Sequence, residues 1–65
     1  MIPGETELDM ALRHVAEGER HIRIQDQIIA HLAVLGAPTE LAEQLKRQFE
    51  ELLVMHKQHL ARLEH

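Results

Sequence analysis

The sequence has no cysteine, tryptophan or tyrosine, and a single phenylalanine, Phe49. Without cysteine there is no disulfide, no thiolate metal site and no thiol nucleophile. Serine is absent too, which removes the commonest hydroxyl nucleophile. Three glycines and two prolines among 65 residues supply no Gly-rich phosphate loop and few turns. The net charge of -4, counted with neutral histidines, gives no global basic field to gather nucleic acid. No apolar run approaches the roughly 20 residues that cross a bilayer. The segment Met1-Ile2-Pro3-Gly4-Glu5 lacks the basic and apolar regions of a secretion signal. These absences predict a cytoplasmic, non-catalytic protein that needs no cofactor. Leu63-Glu64-His65 matches the junction of a Leu-Glu-polyhistidine purification tag, and if it is one, His65 carries no function.

What the chain does have is a repeat. Leu8, Val15, Ile22 and Ile29 stand seven residues apart, and Ala42, Phe49, His56 and Leu63 resume that spacing after Gly36-Ala37-Pro38-Thr39. Such a repeat lays its apolar members along one stripe of a helix, which must be buried against another helix. A single domain over 1–65 is expected, with a helix over about 6–35, a turn at 36–39 and a helix over about 40–62. Thr6 followed by Asp9 can satisfy free amides of the first turn. Gly36 suits a left-handed C-terminal position, and Thr39 is a favourable N-cap ahead of Glu40 and Glu43. So short a link forces antiparallel neighbours, and the fold class is an all-α helical hairpin.

The repeat also predicts layers. Folding about Ala37 opposes Leu32 to Ala42, Ile29 to Leu45, Gln25 to Phe49, Ile22 to Leu52, Gly18 to His56, Val15 to His59 and Ala11 to Leu63. The expected hairpin core is therefore Leu8, Val15, Ile22, Gln25, Ile29, Leu45, Phe49, Leu52 and Leu63. Gln25 is a polar intruder that can fix register at some cost in stability. Beside this seam lie Leu12, Ile28, Leu35, Leu53, Met55 and Leu60. At about 1.5–3 kcal/mol for each large apolar side chain fully buried, these favour a second hairpin packed face to face. The expectation is a homodimeric four-helix bundle.

A short acidic hairpin with alternating small and large core layers resembles the ROP-like proteins. Segments such as His14-Val15-Ala16-Glu17-Gly18-Glu19-Arg20 are similar to those of short, uncharacterised helical hairpins of bacterial genomes. The ROP resemblance implies dimerisation into a four-helix bundle, and RNA binding through polar and basic side chains set around an aromatic. Here the one aromatic, Phe49, stands in the core row of the second helix, so no residue takes that role. Three functions follow. The leading one is a non-catalytic, regulatory interaction module that homodimerises and binds a protein partner. The second is an RNA-binding regulator that uses Arg13, Arg20 and Arg23 on the outer face of the first helix. The third is a metal-binding bundle, in which His14, His21, His56 and His59 supply imidazoles to a divalent ion.

Overall fold

The structure is a computed structural model that describes residues 4–64. Two helices account for most of it: α1 over Glu7–Val34 and α2 over Glu40–Leu63. They pack against each other as an antiparallel hairpin, a rod with principal extents of 47 × 22 × 13 Å. The expectations for Met1–Pro3 and His65 fall outside the described residues.

Local chemistry sets each helix end. At the start of α1, Thr6 Oγ1 accepts from the Asp9 amide at 3.1 Å, while the Thr6 amide donates to Asp9 Oδ2 at 3.2 Å. This reciprocal pair satisfies two amides that the first turn leaves free. At the other end, Gly36 adopts φ +69, a conformation that costs a glycine nothing in Cβ contacts. The Ala37 amide then reaches back to the Leu32 carbonyl at 2.9 Å, and the Gly36 amide to Ala33 at 3.1 Å. These are the two bonds of a Schellman stop. The start of α2 differs from expectation. Thr39 lies at φ -111, ψ -2, and its hydroxyl makes no capping bond. A capping residue needs extended backbone to swing its side chain over the first amides, and Thr39 does not have it. Glu40 and Glu43 remain to favour the positive end of the helix dipole.

On α1 the row facing α2 is Ala11, Val15, Gly18, Ile22, Gln25, Ile29 and Leu32, each buried or half-buried. Leu8 continues it at the rim, 38% exposed. On α2 the facing row is Ala42, Lys46, Phe49, Leu53, His56, Leu60 and Leu63. This corrects the layer assignment. Leu45 and Leu52, expected in the core, are exposed, whereas Leu53 and Leu60, expected outside, line the seam. Helical spacing permits either alternative, because residues three and four beyond each repeat position both border the stripe.

The level of the layers also moves. Gly18 faces Leu53 rather than His56, and Phe49 lies against His21 rather than Gln25. The pivot is nearer Gly36 than Ala37. The chain reverses at the Schellman glycine, so the remaining link residues already run back beside α1, covering more length per residue than a helix does. The result is a seam without a deep core. Only Ala11 and Ala42 are buried among the described hydrophobic residues, and no large side chain is fully enclosed.

Candidate functional site

Antiparallel packing gives the hairpin two flanks of different chemistry. One flank joins His14, His21, Ile28 and Leu35 of α1 to Leu45, Leu52 and His59 of α2, each set sharing a seven-residue spacing. The ring centres of His14 and His56 are 5.2 Å apart with planes tilted by 45°. His21 and Phe49 meet at the same separation, 5.2 Å. His59 Nε2 lies 3.5 Å from Glu7 Oε1, which pairs the two ionically when the imidazole is protonated.

The opposite flank is charged. Lys46 occupies a seam position that the repeat would fill with an aliphatic residue, and its ammonium reaches Asp26 Oδ1 at 2.6 Å. Its methylene stem covers apolar surface while its head stays in water. Ile29, Glu43, Arg47 and Glu50 complete a shallow open recess around this pair. The hydrogen bond and charge of Asp26 hold the Lys46 ammonium above its ordinary value of 10.5. A group raised on folding contributes stability below its unfolded pKa and loses it as pH rises through the folded one. Chemical denaturation should therefore be flat in this respect up to about pH 10 and weaken above 10.5. Asp26→Asn should reduce that alkaline loss, and an unchanged slope would remove the pair from the account.

The sequence-predicted site residues separate. Of the expected dimer contacts, Ile28, Leu35 and Met55 lie outside the seam and exposed, on or beside the histidine flank. Leu12 is exposed on the charged flank, while Leu53 and Leu60 belong to the seam. Arg13 is held by Glu5 at 2.7 Å and lies 3.7 Å from Glu17, whereas Arg20 and Arg23 are exposed. The four histidines do not converge within one hairpin. Among the described residues, no group of three or more His, Asp or Glu side chains is placed to hold one metal ion. No helix of the described residues is long and apolar enough to cross a membrane.

Gln25 stands in the seam with its side-chain oxygen buried and without a hydrogen-bond donor. An acceptor deprived of water and partner costs free energy, so Gln25→Leu should stabilise the fold by about 1 kcal/mol in urea denaturation. A loss of stability would show that the amide is matched after all.

Sequence reasoning did not find the Asp26–Lys46 pair. The available signal was a lysine at a position where the alternative seam row needs a leucine, together with a carboxylate on the facing helix.

Fold and flanks define an all-helical antiparallel hairpin with one histidine-leucine side and one charged side. The chain matches no known protein family, and no curated protein or solved structure resembles it closely enough to count as a relative.

Proposed function

We propose that this chain is a non-catalytic self-association module, in which two hairpins pack through their histidine-leucine flanks into a four-helix bundle. One observation carries the reading. Among the described residues every large hydrophobic side chain keeps some exposure, and Ile24, Ile28, Leu45 and Leu52 stay 38–48% exposed beside one seam. A pair of helices covers one stripe of each, and the rest of the apolar surface needs another partner. The broad face of the rod measures 47 × 22 Å, which is room enough for the roughly 800 Å² per partner of a standard stable interface. A second copy brings the same apolar flank, as an isologous contact requires. The ROP-like resemblance of the repeat agrees with this assembly. The charged flank around Asp26, Glu43, Arg47 and Glu50 then stays at the surface, where a protein partner with complementary charge would bind.

RNA binding is the weaker reading, because Arg13 is engaged with two carboxylates and the chain is net acidic. Light scattering across a hundredfold range of chain concentration tests the proposal. A dimer that dissociates on dilution, with melting that depends on concentration, is the expected result. A well-folded monomer throughout would overturn it.

A further inference from the structure

The histidine-leucine flank is uneven along its length. Toward the turn it carries Ile24, Ile28, Leu35, Leu41 and Leu45, all exposed, while Leu52 stands near its middle, next to the Leu53 that faces Gly18. Toward the open end it carries His14, His21 and His59 with Glu7 and Glu17, with half-buried His56 at the seam edge against His14, and its exposed large apolar side chains there are Met10 and Met55. Two copies set head to tail would lay the apolar half of each on the imidazoles of the other. Two copies set turn to turn instead match apolar surface to apolar surface and bring the histidines of both into one layer. Burial of polar groups against hydrocarbon is costly, so the second arrangement is favoured.

On that basis, and resting on the self-association proposed above, we infer that His14 and His56 form half of a zinc site completed by His14 and His56 of a second copy. One hairpin offers too few ligands to a single ion. The pair it does offer stands at a spacing that a tetrahedral ion allows. An imidazole bound at about 2.0–2.1 Å puts its ring centre about 3.2 Å from the ion, so two at the tetrahedral angle stand about 5.2 Å apart. The ring centres of His14 and His56 are 5.2 Å apart. Four neutral imidazoles around a tetrahedral ion suit Zn²⁺ and other borderline divalent cations, and they do not suit Mg²⁺ or Ca²⁺. The two-fold axis of the turn-to-turn dimer would pass through the ion.

The test titrates zinc chloride into chelator-stripped chain and follows the dimer by sedimentation equilibrium. One Zn²⁺ should bind per two chains and tighten the dimer at least tenfold, with no response to magnesium chloride. His14→Gln and His56→Gln, which preserve side-chain bulk, should each abolish the zinc response, while His31→Gln retains it. Circular dichroism verifies that each variant is still helical, and His14→Ala serves if His56→Gln does not fold. A dimer indifferent to zinc overturns the site and leaves self-association standing. Two ions per dimer, or a zinc response that survives in either variant, also overturns it. A monomer with and without zinc overturns both proposals together.

Discussion

Replacing Gly18 with leucine is expected to destabilise the fold by about 2–3 kcal/mol, seen as a lower urea midpoint at fixed chain concentration. At Gly18 a Cβ would meet Leu53 Cδ1 at 3.1 Å, Leu53 Cβ at 3.7 Å and Leu53 Cγ at 3.9 Å. One carbon is tolerable, because the nearest atom is a terminal methyl of a half-buried side chain that can move by a few tenths of an ångström. Alanine there also recovers about 1 kcal/mol of helix propensity, so Gly18→Ala should be neutral or stabilising. A leucine brings three more carbons into the same space and pushes the helices apart or drives Leu53 from its rotamer. Leu53→Ala in the leucine background should restore part of the loss. That coupling is what a double-mutant cycle isolates. If Gly18→Leu left the midpoint unchanged, Leu53 would not be the residue that faces Gly18, and the seam described above would be misplaced.

The second large effect is expected at Phe49. Truncation of a fully buried phenylalanine costs about 3–5 kcal/mol, and Phe49 is half-buried, so Phe49→Ala should cost about 2–4 kcal/mol. In a domain of 65 residues that is a large share of total stability, and the melting temperature should fall by about 8–30 °C, at about 4–8 °C per kcal/mol. Its imidazole neighbour separates packing from bulk. His21→Ala removes the 5.2 Å ring contact but little of the seam, so it should cost much less than Phe49→Ala. Equal losses in the two variants would place the energy in the ring pair and not in the seam.

Several parts of this architecture can be read from the residues alone. Thr6 and Asp9 announce the start of α1, and Gly36 announces its end, because each satisfies backbone groups that a helix terminus leaves free. The facing row of α1 is plainer, since Val15 is flanked by His14 and Ala16 and Ile22 by His21 and Arg23, and only Ile28 competes with its neighbour Ile29. On α2 the residues do compete. Leu52 and Leu53 are adjacent and identical, and Leu45 is a better apolar choice than Lys46. Local pattern therefore points to the wrong neighbour. What decides is tertiary: the pivot at Gly36 sets the level, and the gap at Gly18 accepts Leu53. The histidines follow the same logic. Their residue type and heptad positions suggest a cluster, but only the register separates His14 with His56 from His21 with Phe49 and His59 with Glu7. The charged recess is not legible in the sequence, because Lys46 reads as a solvated helix residue until α1 brings Asp26 beside it.

The Schellman glycine has a consequence for topology. The reversal of the chain rests on one residue at positive φ and a link of five residues, 35–39, with no side-chain cap on α2 to brace it. Every contact along the seam would be kept if α2 were donated by a neighbouring chain instead of folding back on its own. Closed and exchanged forms then differ in free energy by little more than the link itself and the entropy of association. In the proposed bundle, Gly36 would thus be the latch that decides whether the four helices come from two closed hairpins or from two interlocked chains.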